Sequence, residues 1–222
     1  MILAMENPVL PGSGTGQLGE DLANRIARRT LESRGSGYAA EVRKLLDAGR
    51  EVMAQRGTSS RARVADVVAA AGLSNDAFYR HFASKEALVI AILQDGTERL
   101  RGYLAHQMEK EPTPEGKVRR WVEGILAQAA DDESAATTLA VLWNAGNAVD
   151  VTASPETTLA PLLEAPFADL GSDDPALDAS LVAHAIVGRM SDLLQHGERP
   201  TKADTKRVVD FCLRAASRIA AE

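Results

Sequence analysis

The 222-residue chain is 45% hydrophobic and 25% charged, with 25 Lys/Arg, 31 Asp/Glu and one cysteine, Cys212. At roughly 150 residues per domain, that length supports one or two hydrophobic cores. The longest apolar runs, such as Val67–Ala71 and Ala87–Leu93, fall far short of the ~20 residues that span a bilayer.

A single cysteine makes no internal disulfide, which suits a reducing compartment. The opening MILAMENPVLPGSG has neither a basic start nor a long apolar stretch, so no secretory signal is expected. The expectation is a soluble, cytoplasmic protein. A net charge of −6 argues against indiscriminate coating of nucleic acid, but the charge is unevenly spread. Residues 1–89 carry 12 Lys/Arg and 10 Asp/Glu, whereas residues 90–222 carry 13 and 21. Such a split lets one end meet a polyanion while the other is repelled.

Along the chain, the first 37 residues differ in style from the rest: a Gly-rich PGSGTGQLG, an Arg-bearing amphipathic stretch, then SRGSG. They are expected to be a flexible arm with one or two helical turns. From Tyr38 the pattern is helical, with Val42, Leu45, Leu46, Gly49, Val52 and Met53 on one face and Gly57 closing the helix. Val64, Val67 and Val68 form a short apolar face that ends at Ala71-Gly72. Ser74 can cap a third helix bearing Phe78, Tyr79 and Phe82, and Ser84 a long fourth one running to Met108.

Later starts are marked by cap–proline pairs, because proline's missing N–H is one that the first helical turn cannot use anyway. Thr113-Pro114, Ser154-Pro155 and Asp174-Pro175 are of this kind, and Asp132 opens a further helix. Pro161 and Pro166 must kink or shorten the segment they lie in. Thr201 with Asp204 resembles a capping box opening the last helix, which carries Val208, Phe211, Cys212, Ala215 and Ile219. No stretch alternates with period two. The expected fold is all-α, with about nine helices.

Gly14–Gly19 formally matches the dinucleotide-binding GxGxxG, but Pro11 precedes it and no strand follows, so it reads as linker. The histidines, His81, His106, His184 and His196, form no HxxxH pair, and no GxSxG elbow is present. No metal, cofactor or catalytic site is expected. The informative stretch is RVADVVAAAGLSNDAFYRHFASKEAL, from Arg63 to Leu88. Two short helices separated by Ala71-Gly72-Leu73 make a helix-turn-helix, with Gly72 giving the tight turn its backbone freedom.

Over about 50 residues, Tyr38 to Leu88, and most specifically in Tyr79-x-His81-Phe82-x-Ser84-Lys85-Glu86, the sequence resembles the TetR/AcrR family of bacterial transcriptional regulators. The resemblance implies an N-terminal three-helix DNA-binding domain, residues 38–98, with its helix-turn-helix at about 63–82. It also implies a C-terminal helical domain, residues 99–222, for effector binding and dimerisation. Ser74 and Asn75 would face base edges in the major groove, where Asn can pair bidentately with adenine. The matching Tyr and His of the family contact phosphates, which assigns that role to Tyr79 and His81, with packing between helices 1 and 3 as the competing reading. Lys85, in the first turn of helix 4, would hold a phosphate beside free backbone N–H groups.

Where the family often has Lys-Gly-Thr after the capping Ser, this chain has Asn75-Asp76-Ala77, and Asp76 repels phosphate. Arg61 and Arg63, at the start of helix 2, are expected to supply the missing attraction. Arg25, Arg28, Arg29 and Arg34 could carry the arm to DNA, although a tail free of DNA is the simpler account.

Beyond Gln94 the resemblance fades. Tyr103, Met108, Trp121, Trp143, Phe167, His184 and Met190 are candidates to line a pocket for a small apolar or amphipathic effector, with core packing as the alternative for each. The last two helices, from Pro175 and from Thr201, are candidates for a homodimer interface. The expected function is a ligand-responsive homodimeric repressor on a pseudo-palindromic operator. The alternatives are an activator of the same family, or a small-molecule-binding protein whose helix-turn-helix no longer reads DNA.

Overall fold

The computed structural model describes residues 15–146 and 154–216, with side chains from Gly35 onward apart from Ser36. The chain divides into two units, residues 1–43 and 44–222. Helix α1 spans Thr15–Arg56, so the described backbone is helical well before Tyr38, where the sequence pattern placed its start. The side chains of Arg25, Arg28, Arg29 and Arg34, the first fourteen residues and Ile219 lie outside the described residues.

Among the described residues the second unit is wholly helical, without strands. It comprises the end of α1 and then α2 (Val64–Ala71), α3 (Asn75–His81), α4 (Lys85–Glu109), α5 (Pro114–Leu126), a 3-10 turn (Ala127–Ala129), α6 (Asp132–Ala145), α7 (Pro155–Leu159), α8 (Pro161–Asp169), α9 (Pro175–His196) and α10 (Lys202–Ala216). Side-chain caps account for most of these starts. Ser74, Ser84, Thr113, Asp131 and Asp174 each accept a hydrogen bond from the backbone N–H three residues on. Thr201 and Asp204 satisfy each other's backbone N–H at 3.2 and 3.1 Å, a reciprocal capping box. Pro161 opens α8 and splits it from α7, while Pro166 is accommodated inside α8.

The main core lies between α4, α5, α8, α9 and α10, around the fully buried Trp121, Ile125, Leu163 and Phe167. Trp121 keeps its indole N–H satisfied at depth by donating to the Leu159 carbonyl at 3.1 Å. Outside this core, Leu45, Met53, Val67, Phe78, Leu88 and Val89 are also buried. Close approach of α1 to α4 depends on Gly49, where a Cβ would lie 2.7 Å from Ile92 Cδ1. Helix α4 runs through residues 98 and 99, where the two domains were expected to meet. No helix among the described residues is long and apolar enough to cross a membrane.

Candidate nucleic-acid interface and ligand cavity

Helices α2 and α3 are joined by a turn of three residues. Gly72 adopts φ 65°, a left-handed conformation that costs glycine little, and its N–H closes α2 onto Ala69 O. The Leu73 N–H then reaches Val68 O at 2.9 Å. Val67, Val68, Ala77 and Phe78 are buried beneath the two helices. Phe78 also meets Phe82, with ring centroids 5.8 Å apart, so the apolar side of α3 is fully occupied.

The opposite side of α3 is open. Ser74, Asn75, Asp76, Tyr79 and Arg80 are all exposed. Tyr79 is 60% exposed, its ring held edge-on against Phe78 at 5.2 Å. Ser74 Oγ accepts from the Ala77 N–H at 3.1 Å, which leaves its hydroxyl hydrogen available outward. His81 is half-buried at the end of the helix. The Ser84-capped first turn of α4 presents Lys85, whose Nζ is 3.6 Å from Glu86 Oε1. Glu86 is held below its ordinary pKa, chiefly by hydrogen bonding from its own backbone N–H and from the Ser84 hydroxyl.

The two arginines before α2 have different surroundings. Arg63, at the N-cap of α2, is exposed and makes no side-chain cap bond. Arg61 lies with its guanidinium carbon 5.5 Å from the centroid of the Trp143 ring, a cation–π distance that ties it to the end of α6. Beside it, the buried Ala62 N–H donates to Asn144 Oδ1 at 3.1 Å, and Asn144 Nδ2 donates to Ala140 O at 2.9 Å. Arg56, at the end of α1, reaches the Arg61 carbonyl at 3.4 Å and Asp66 at 2.6 Å. The segment leading into the helix-turn-helix is therefore pinned from α1 on one side and α6 on the other. Sequence reasoning did not find Asn144, because no local pattern links residues 82 positions apart.

A cavity of about 570 Å³ opens between α4, α6, α7 and α9. Its apolar wall includes Ile92, Leu93, Leu100, Val141, Leu159 and Met190, and its polar groups include Arg50, Thr137, Thr138, Glu133 and Glu156. Of the seven residues expected to line a pocket, Met190 alone is on this wall. Met108, Trp121 and Phe167 fill the core instead, because their bulk is what closes α4, α5 and α8 against their neighbours. Tyr103 is 54% exposed, and Trp143 sits under Arg61. His184 is exposed and hydrogen-bonds the Ser180 carbonyl within its own helix at 2.7 Å.

Apolar surface is also left bare on α9, where Leu177, Leu181, Ala185 and Gly188 follow one another on an exposed face. Phe211 of α10 is 48% exposed.

The sequence pattern described as bacterial regulatory proteins, tetR family, matches residues 45–92. No curated protein matches the chain. Among solved structures, a TetR-family transcriptional regulator from Mesorhizobium loti is 17% identical, with TM-score 0.57, covering 81% of this chain and 96% of that one. RolR in complex with resorcinol is 15% identical, with TM-score 0.59, covering 85% and 98%. At these identities the likeness is one of fold. A structure described as the molecular basis for control of antibiotic production by bacterial hormones is 25% identical, with TM-score 0.55, covering 79% and 94%.

Proposed function

We propose that this chain, whose residues 45–92 match the pattern of bacterial regulatory proteins of the tetR family, is a ligand-responsive, homodimeric, DNA-binding transcriptional regulator that acts as a repressor. The observation that carries this reading is the helix-turn-helix. One side of α3 is buried, while Ser74, Asn75 and Tyr79 stand exposed on its open side and Lys85 follows at the start of α4. That arrangement suits insertion into a major groove. Ser74 and Asn75 meet base edges there, Asn75 reading adenine, while Tyr79, His81, Lys85 and Arg63 hold phosphates and Arg61 stays on Trp143. Residues 38–98 form the DNA-reading part, 99–222 the effector and dimerisation part, and 1–37 an arm.

The bare apolar faces of α9 and α10 support an isologous dimer. In such a dimer, two copies of α3 enter successive major grooves about 34 Å apart on a pseudo-palindromic operator. The cavity supports a small apolar or amphipathic effector. One neighbour of the same fold is described with resorcinol bound, and another in connection with bacterial hormones. Helices α4 and α6 both wall the cavity and both lead towards the DNA-reading helices. An effector that displaces them favours a dimer whose recognition helices are wrongly spaced. Coupling of this kind is worth about 1–3 kcal/mol, and DNA must weaken the effector by the same factor.

Asp76, exposed in the first turn of α3, favours a second reading, in which the protein binds its small molecule without reading DNA. Selection of bound sequences from random duplex DNA separates the two. The regulator recovers one palindromic site, weakened evenly by Lys85→Ala and re-specified by Asn75→Ala. Absence of enrichment at low salt overturns it in favour of the second reading.

A further inference from the structure

The cavity wall is selective in both shape and charge. Among the described residues none of its lining side chains is aromatic, so a flat ring system finds nothing there to stack on. The aliphatic groups of α4, α5, α6, α7 and α9 instead offer a surface for a flexible saturated chain. The volume of about 570 Å³ lies within the roughly 300–1,000 Å³ of small-molecule sites.

Among the described residues three charged side chains reach this wall: Arg50, Glu133 and Glu156. Arg50 is already neutralised. Its guanidinium is 2.8 Å from Asp47 and 3.8 Å from Asp95. Arg99 completes the square at 3.4 and 2.6 Å from the same two carboxylates. Two cations and two anions thus satisfy one another, and no net positive charge is left for an acidic ligand. Glu133 and Glu156 stand in the first turns of α6 and α7, and neither has an ion-pair partner among the described residues. The cavity therefore combines an aliphatic interior with two uncompensated carboxylates.

We propose that this cavity binds an aliphatic amphiphile with a cationic head group, such as an alkylammonium, and discriminates against carboxylates of the same chain length. The proposal rests on reading the cavity as the effector site and adds the chemical class of what enters it. The chain lies along Ile92, Leu100, Val141 and Met190, and the head group is placed by Glu133 and Glu156. Both carboxylates are partly solvated, so each contributes modest Coulomb attraction, and together they give roughly a tenfold preference over an anion.

The test uses three probes with the same ten-carbon chain: decyltrimethylammonium, 1-decanol and decanoate, titrated calorimetrically into the full-length protein below their micellar concentrations. The expected order of affinity is cation, then alcohol, then carboxylate, with the ends about tenfold apart. In the Glu133→Gln/Glu156→Gln double variant the spread should fall below about twofold. Met190→Trp fills the cavity, and Thr138→Phe does so from a more exposed position should the first variant fold poorly. Either should abolish binding of all three probes. Decanoate binding as tightly as the ammonium, with binding still blocked by these variants, overturns the charge assignment and leaves the cavity as a ligand site. Binding that survives both blocking variants, or no binding by any probe, overturns the cavity reading together with the proposal.

Discussion

The backbone N–H of Ala62 donates to Oδ1 of Asn144 across 3.1 Å, joining the residue two before α2 to the last turn of α6. Both residues are almost fully buried, at 2% and 3% exposure, so neither group finds water if the bond breaks. The same carboxamide is anchored to its own helix through Ala140 O. A shift of α6 is therefore delivered directly to the entry of the helix-turn-helix.

Replacing Asn144 by Ala strands the Ala62 N–H in a buried site and should cost about 1–3 kcal/mol. Chemical denaturation at fixed protein concentration measures the loss. Hydrogen exchange at Ala62 should accelerate in the variant by more than global destabilisation accounts for. Unchanged exchange at that amide would show that the bond does not hold the segment.

Arg61 and Arg63 should separate in their dependence on salt. The Arg63 side chain is exposed without a cap bond, whereas Arg61 is stacked over Trp143. Arg63→Ala should lower the salt slope of operator binding by about one. Arg61→Ala should leave that slope nearly unchanged, and its effect should vanish in a Trp143→Ala background. Equal changes in slope for the two variants would place both arginines on phosphate.

Gly49→Ala places a Cβ 2.7 Å from Ile92 Cδ1 and 3.2 Å from Leu88 Cδ2. Helix propensity favours alanine by about 1 kcal/mol, but overpacking costs about 1–3 kcal/mol. The net result should be a lower melting temperature. Ile92→Val removes the offending methyl, so the double variant should recover much of the loss. An additive double-mutant cycle would contradict the clash.

Leu181 is 60% exposed in the single chain, on the face of α9 proposed to pair with its copy. Leu181→Glu should shift sedimentation from dimer to monomer at micromolar concentration, because two carboxylates would meet across a two-fold axis. Operator affinity should fall with it, since each monomer reads only one half-site. A variant that remains dimeric would move the interface elsewhere.

Glu86 supplies a pH dependence of known sign. Its carboxyl is held below the ordinary carboxylate pKa by its own backbone N–H, the Ser84 hydroxyl and Lys85. A depressed folded-state pKa contributes stability that is present above the unfolded value and is lost as pH falls through the folded one. Melting temperatures measured from about pH 5 downward should therefore drop more steeply for the wild type than for Glu86→Gln. Parallel curves would remove Glu86 as a contributor.

Local chemistry was legible from sequence wherever neighbouring residues decide it. Ser74, Ser84, Thr113 and Asp174 cap the helices their patterns announced, and Thr201 with Asp204 closes the reciprocal box. Gly72 takes the left-handed turn that the break between two apolar faces required. The exposed side of α3 followed from the spacing of Phe78 and Phe82, because a helix with one face committed to the core has its other face defined. The length of α1 was not legible, since Gly35 and Gly37 read as breakers whereas the helix continues through both.

Contacts between distant segments were decided only by the tertiary structure. Periodicity marks which side of a helix is apolar but not which helix it meets. Sequence therefore left large residues such as Trp121 and Phe167 open between cavity lining and core, and they are core. The cavity wall is instead made of smaller aliphatic and hydroxyl groups brought together from five helices. In the same way, Arg61 met Trp143 and Ala62 met Asn144 across some eighty residues. Caps, turns and helical faces are set within a few residues of chain, so the sequence alone determined them. The cavity and its link to the helix-turn-helix depend on how whole helices cross, and that is settled only when their side chains interlock in a common core.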